Sequence, residues 1–276
     1  MAVIWGVNFV VVKYATHIFN PVAFTGLRVG TAALFLGAVV LARGGVSLQR
    51  LDVVRLMFLG VLGNGLYQLF FVHGVARTRA GNAALIVGAA PAFIALIARV
   101  RGLERVKRMT LIGIGLSVLG VALVIAGSAT SSQRQTTLLG SVLVFFGVLS
   151  WTMYTILLQP YTKRVDVIQL SAVTMVGGAI PLVIASMPAL IATDWAHVGV
   201  GGWLALLYSS VISMGVAYFF WYRGLRVLGP TRTAVYSNLQ PIVALLVAWA
   251  FLSEVPTIFQ GVGAVTIIAG VFLTRT

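Results

Sequence analysis

The stretch GVARTRAGNAALIVGAAPAFIALIARVRGLERVKRMTLIGIGLSVLGVAL, from Gly74 to Leu123, returns in outline as GLRVLGPTRTAVYSNLQPIVALLVAWAFLSEVPTIFQGVGAVTIIAGVFL, from Gly224 to Leu273. A shift of 150 positions (224 − 74) lays Pro91 on Pro241, Glu104 on Glu254, Gly113 on Gly263 and Gly120 on Gly270. Val121 and Val271, Ala84 and Ala234, and Leu96 and Leu246 coincide as well, but apolar residues match by chance in an apolar chain, so the weight rests on the Pro, Glu and Gly pairs. Upstream, Trp5 falls on Trp151 at a shift of 146, which a few extra loop residues in the second copy explain. The chain therefore reads as two copies of one half.

Composition sets the class of protein. With 60% hydrophobic residues, 9% charged residues and a mean hydropathy of +1.04, the chain lacks the polar surface to cover a water-soluble globule. It reads as an all-α, polytopic membrane protein. There is no Cys, so there is no disulfide framework, thiolate metal site or thiol nucleophile, and three scattered His residues do not make a zinc site. No metal or cofactor is expected. The net charge of +14 does not point to nucleic acid, because the basic residues sit in short connections between apolar runs, where they set topology. The expected partners are the lipid bilayer and a small-molecule substrate.

At roughly 20 apolar residues per crossing, the runs predict helices at 1–18, 21–42, 53–72, 80–99, 109–127, 137–158, 168–190, 200–222, 231–252 and 257–274. That is ten transmembrane helices, five in each copy, with residues 1–127 as the first repeat and 137–276 as the second. Breaks are expected at Asn20-Pro21, Arg43-Gly44-Gly45, Gly81-Asn82, Gly127 to Thr137 and Gly229-Pro230. The first run starts at residue 1 without a basic flank, so it reads as a short first helix and not as a signal peptide, with the native start expected upstream of Met1. Of the nineteen Lys and Arg, fourteen fall in connections on one side; Arg77, Arg79 and Arg134 fall on the other, and Lys13 and Arg28 lie within helices. The positive-inside asymmetry puts both termini in the cytoplasm. An odd number of helices per copy then makes the repeats inverted, the arrangement that suits alternating access in a carrier.

Lys13 and Arg28 carry charge about 10 Å below the outer surface, by helical rise, with no acid beside them in sequence. Each either snorkels outward or faces a cavity, where a substrate carboxylate or phosphate would supply the counter-charge. Polar stripes at i, i+3, i+4 spacing mark inward faces: Asn64, Tyr67 and Gln68; Ser150 and Tyr154; Ser209 and Ser213; Tyr236 and Gln240. Such stripes either line a cavity or make interhelical hydrogen bonds. Trp5 and Trp151 recur at one place in each copy, beside Asn8 and Tyr154, whereas Trp195, Trp203, Trp221 and Trp249 fall near span ends and read as interface belts. Pro91 and Pro241 sit mid-helix in the predicted spans and would serve as hinges or static bends. Gly113, Gly120 and Gly127, with Gly263 and Gly270, form smooth stripes for close packing, within the bundle or across a homodimer.

Together these residues resemble the EamA-like branch of the drug/metabolite transporter superfamily over nearly the whole chain. The likeness is carried by WGVNFVVVK (Trp5 to Lys13), Arg28 in GLRVG, GNAALIVGAAP (Gly81 to Pro91), Glu104 in GLERV and GIGLSVLGVALVIAG (Gly113 to Gly127). The second copy answers with SWTMYT around Trp151, RTAVYSNLQP (Arg232 to Pro241) and LSE ending at Glu254. Two departures stand out. The apolar run ahead of the Trp-Gly pair is short, and the Leu-Gly-Glu usual in the family reads Gly102-Leu103-Glu104 and Leu252-Ser253-Glu254 here. The resemblance implies a carrier of the bacterial inner membrane that exports small metabolites, often amino acids, or toxic compounds such as drugs. The expected substrate cavity comprises Trp5, Asn8, Lys13, Arg28, Asn64, Tyr67, Gln68, Asn82, Trp151, Tyr154, Ser213, Tyr236 and Gln240, and the gates Pro91, Pro241, Glu104 and Glu254. An enzyme would need paired acids or a His-carboxylate set at membrane depth, and none is written in the chain. The remaining alternative is a non-transporting membrane scaffold.

Overall fold

A computed structural model describes residues 1–101, 108–128 and 134–273. The described chain is all-α, without strands. Its helices run α1 Ala2–Ile18, α2 Pro21–Ala42, α3 Arg50–Gly60, α4 Tyr67–Arg77, α5 Ala80–Gly88, α6 Ala90–Val100 and α7 Arg108–Ser128. They continue as α8 Arg134–Thr162, α9 Val167–Ile191, α10 Val200–Leu207, α11 Ala217–Leu228, α12 Pro230–Val235, α13 Leu239–Leu252 and α14 Ile258–Leu273. Among the described residues, seven helical spans are long and apolar enough to cross a membrane, and three shorter apolar helices accompany them. Large apolar side chains such as Leu34, Val100, Phe251 and Ile258 are exposed on the outside, as a lipid-facing surface requires.

Several of the longer spans are interrupted. A π-turn, Val61–Leu66, joins α3 to α4, and a second, Tyr208–Val216, joins α10 to α11. The two correspond at the shift of 150 positions, since 61 + 150 = 211 lies inside the second. The α5–α6 span breaks at Ala89, and a 3-10 turn at Tyr236–Asn238 separates α12 from α13. Pro91 and Pro241 are therefore not mid-helix kinks in continuous helices: each stands near the start of a new helical segment, where the missing N–H leaves no gap in the ladder.

Helix ends follow local chemistry, with one departure from the expected breaks. Asn20 and Asp166 cap α2 and α9 by accepting from Val22 N at 2.8 Å and Ile168 N at 3.0 Å. Gly229, at φ 82°, and Pro230 make the corner between α11 and α12. The break expected at Gly81-Asn82 comes instead at Thr78-Arg79. Helix α11 continues to Leu228 because Arg223 and Arg226 stay helical and do not start a loop. Ser253 takes φ 55°, a left-handed conformation open to the Gly of the family pattern but costly for Ser.

Helices α7 and α14 pack antiparallel through the glycine stripes. A Cβ on Gly120 would lie 2.6 Å from Ile267 and 2.9 Å from the Gly263 carbonyl; one on Gly270 would lie 2.5 Å from Ser117 and from the Gly113 carbonyl. Ile267 is Ser117 shifted by 150 and Gly263 is Gly113 shifted by 150, so the two contacts correspond at that shift. The stripe is thereby used inside the bundle. Gly120→Ala should lower thermal stability in detergent by about 1–3 kcal/mol, whereas Gly115→Ala, with open space around it, should be neutral or slightly stabilising. Ser253→Gly should stabilise by about 1 kcal/mol. Thermal unfolding of the purified variants checks all three.

Candidate functional site

A small cavity lies between the two halves of the chain and is lined by residues of both. Helix α1 contributes Trp5, Asn8 and Phe9, α2 contributes Arg28, and α4 contributes Tyr67, Gln68 and Phe71. The second copy contributes Trp151 from α8, Ser213 and Met214 from the π-turn, Tyr218 and Trp221 from α11, and Gln240 from α13. Pro91 and Ser237, at the two helix breaks, close the wall. Aromatic rings dominate. Trp5 meets Trp151 edge-on at 6.1 Å, and both lie 5.5–5.6 Å from Trp221 between ring centroids. Tyr67 and Tyr218 complete the cage, at 5.0 and 5.6 Å from Trp151.

Two contacts place repeat-matched residues against each other. Trp5 touches Trp151, its partner at a shift of 146, and Gln68 Nε2 donates to the Tyr218 hydroxyl at 3.0 Å, its partner at 150. The cavity thus lies where residues of the first and second halves of the chain meet.

Among the described residues Arg28 is the one charged side chain on the cavity wall, and it is 1% exposed. Its Nη2 donates to the Ser209 carbonyl at 3.2 Å, and the guanidinium carbon lies 5.9 and 5.8 Å from the Phe24 and Phe71 ring centres. Its Nε and Nη1 are buried and have no protein partner. Four further wall atoms share that condition: Trp221 Nε1, Asn8 Oδ1, Gln68 Oε1 and Ser237 Oγ. The free set thus combines donors, suited to a carboxylate, with carbonyl acceptors, suited to an ammonium or hydroxyl group.

The π-turns supply the positioning. A π-turn leaves some carbonyls without their usual helical partner, and in a membrane core a neighbour must satisfy them. Arg28 bonds the carbonyl of Ser209, Trp5 Nε1 bonds that of Ser213 at 3.0 Å, and Ser150 Oγ bonds that of Leu62 at 2.7 Å. Side chains from one half of the chain thus complete the backbone of the other.

Of the expected site residues, Trp5, Asn8, Arg28, Tyr67, Gln68, Pro91, Trp151, Ser213 and Gln240 meet at this wall. Others stand elsewhere. Tyr154 shares a 2.6 Å hydroxyl bond with Tyr222, with buried Asn64 beside the pair. Tyr236 is 65% exposed. Pro241 packs toward Gly88 and lines a separate apolar cleft. Trp221, read from sequence as an interface residue, is 1% exposed inside the cage, while Trp195, Trp203 and Trp249 are exposed. Tyr218 and Trp221 are not among the expected cavity residues; extending the 150-residue shift upstream of Gly74, which lays Gln68 on Tyr218, could have pointed to one of them.

Lys13, Asn82 and Glu254 join a second cluster around the turn between α4 and α5, outside the cavity lining. Lys13 donates to the carbonyls of Ala76 and Thr78, at 3.0 and 2.9 Å, and so satisfies the C-terminal end of α4. Glu254 accepts from Ala80 N and Gly81 N, at 3.2 and 3.4 Å, at the start of α5. Arg79 bonds the Val255 carbonyl and lies 3.9 Å from the Glu254 carboxylate. Gln260 donates to Asn82 at 2.7 Å, and Thr78 shares a 2.9 Å bond with Ser141. The turn between α4 and α5 is thus tied to α1, α8 and α14. Glu104 lies outside the described residues.

The EamA-like transporter family model matches residues 1–126 and 138–276. An uncharacterised transporter of Bacillus subtilis (strain 168), YyaM, is 28% identical over 270 residues, covering 96% of this chain and 88% of the relative. A protein of Salmonella typhimurium (strain LT2) named as a probable amino-acid metabolite efflux pump is 27% identical over 289 residues, covering 99% of this chain and 91% of its own. A crystal structure at 18% identity superposes with a TM-score of 0.67, covering 99% of this chain and 95% of the other, and so shares the fold. The cavity, the apolar helices and these matches agree: the chain belongs to the EamA-like transporter family and is an integral membrane transporter, not an enzyme.

Proposed function

We propose that this protein is a secondary transporter that exports small metabolites such as amino acids by alternating access through the central cavity. In this reading ten transmembrane helices form two inverted five-helix repeats, residues 1–127 and 137–276, in a bacterial inner membrane with both termini cytoplasmic. The exchanged glycine contacts of α7 and α14 and the paired contacts of Trp5 with Trp151 and Gln68 with Tyr218 support the inversion. The efflux-pump name of the Salmonella relative supports the amino-acid direction.

The observation that carries the reading is Arg28, fully buried on a wall built by both halves, with two donors free. A substrate carboxylate takes the guanidinium nitrogens; an ammonium takes Asn8 Oδ1, Gln68 Oε1 and the faces of the tryptophans. Lipophilic cations, the drug alternative, find no acid among the described residues of this wall. Uptake of labelled amino acids, simple carboxylates, sugar phosphates and lipophilic cations into proteoliposomes tests this. Saturable flux of a carboxylate-bearing compound is expected, and Arg28→Ala should weaken its apparent affinity by about tenfold or more, the worth of one charged hydrogen bond. Carriage of cations alone, or unchanged carboxylate transport by a folded Arg28→Ala variant, would refute it.

The ties around the α4–α5 turn act as the closure of the outer side, so Lys13 serves the gate and not the substrate. Because the chain has no Cys, a single reporter reads this directly. Ala83→Cys, at a position 0% exposed one turn inside the ties, should react slowly with a membrane-impermeant maleimide. Adding Glu254→Ala or Lys13→Met should speed labelling several-fold; equal rates would mean that the ties do not hold that side shut.

A further inference from the structure

Arg28 has a consequence for how transport is coupled, which rests on the reading of the cavity as the substrate site. Guanidinium stays protonated at any physiological pH. The side chain is 1% exposed, and among the eighteen residues lining the cavity it is the one charged group, with no Asp or Glu in the set. Its compensation by protein is partial: one carbonyl, Ser209, and the faces of Phe24 and Phe71. Nε and Nη1 remain buried and unpartnered.

In a carrier that alternates, the cavity must pass through a form closed on both sides. When it faces water, the solvent compensates Arg28. When it closes, the charge loses that water, and the cost of an intramembrane cation falls on this step. A carboxylate bound to Nε and Nη1 removes most of that cost, because the pair is neutral and both donors are satisfied. The closed form is therefore reached more easily loaded than unloaded.

We propose that Arg28 makes this protein an exchanger: a carboxylate-bearing substrate must occupy the cavity in each direction of the cycle, so that outward movement of one molecule is coupled to inward movement of another. Free anions and amino-acid zwitterions share this chemistry. They differ in the second group: a zwitterion also uses Asn8 Oδ1 and Gln68 Oε1, both buried and unpartnered on the same wall.

The test is labelled uptake into proteoliposomes that are either empty or preloaded with the same compound unlabelled, with labelled phenylalanine and labelled phenylacetate as the two arms. Insertion scales equate a buried cation with roughly a hundredfold in equilibrium, and the Ser209 and Phe contacts recover part of that. Preloading should therefore speed initial uptake about tenfold or more. Arg28→Gln should bring the preloaded-to-empty ratio close to one, at weakened affinity; Arg28→Lys, which keeps the charge, should hold the ratio well above one. Thermal unfolding of both variants confirms that they are folded. Stimulation of phenylalanine but not phenylacetate assigns the substrate to zwitterions, and the converse to free anions; either supports exchange. Saturable uptake at equal rates in empty and preloaded vesicles overturns exchange while leaving the transporter reading intact. If neither probe is carried but another carboxylate of the uptake panel is, that compound replaces them in the same comparison. Absence of carboxylate flux throughout the panel overturns both.

Discussion

The hydrocarbon core contains no water to bond with a displaced carbonyl, and this constraint organises the centre of the molecule. Regular helices meet it by themselves. The two π-turns do not, and carbonyls in them are met by side chains from the opposite half of the chain: Arg28 and Trp5 reach the turn at Tyr208–Val216, and Ser150 reaches the turn at Val61–Leu66. The halves are thus joined by bonds that neither could replace alone, and the residues making them are the ones that line the cavity or stand next to it. Backbone irregularity, cavity and interface between copies are one feature seen at three scales.

The same constraint separates the two intramembrane cations, which sequence alone could not. Lys13 and Arg28 share depth and charge on neighbouring helices. Lys13 ends beside the last turn of α4, where unpaired helical carbonyls take two of its three donors. Arg28 ends beside a single π-turn carbonyl and two aromatic faces, which leaves two donors free. A compact ammonium at a helix terminus closes a structural account; a planar fork with one arm engaged opens a binding one.

Much of the architecture was legible because it depends on patterns that survive in one dimension. The apolar runs located most of the helices to within a few residues, and the Gly pairs at a shift of 150 marked the surfaces on which α7 and α14 meet. The site was legible where the helix carrying it is regular. Trp5 and Asn8 on α1, Arg28 on α2, and Tyr67 and Gln68 on α4 all reach the wall. It failed where the helical period is broken. Asn64 was placed with Tyr67 and Gln68 by i, i+3, i+4 spacing, but it sits inside a π-turn, whose wider winding turns it toward Tyr154 and Tyr222. Tyr236 was placed with Gln240 at i, i+4, but a tighter 3-10 turn intervenes and leaves Tyr236 at the surface. Trp221 was assigned to the interface because its span was ended at residue 222; the helix runs to Leu228, which sets the ring deep in the bundle.

The turn at Ser253 shows how a local departure from a family pattern is absorbed. Glu254 can cap α5 only if the chain reverses directly after Leu252, and the reversal requires a positive φ at residue 253. Glycine adopts that conformation freely; serine pays for it. The backbone nevertheless keeps the shape, with Glu254 N bonded back to the Ala248 carbonyl, because what it delivers is a carboxylate to the N–H groups of Ala80 and Gly81, which have no partner within the helix. The cost at residue 253 is thus offset at the start of α5, where the Glu254 carboxylate accepts from Ala80 N and Gly81 N, and the local strain and the helix cap are set by the same turn.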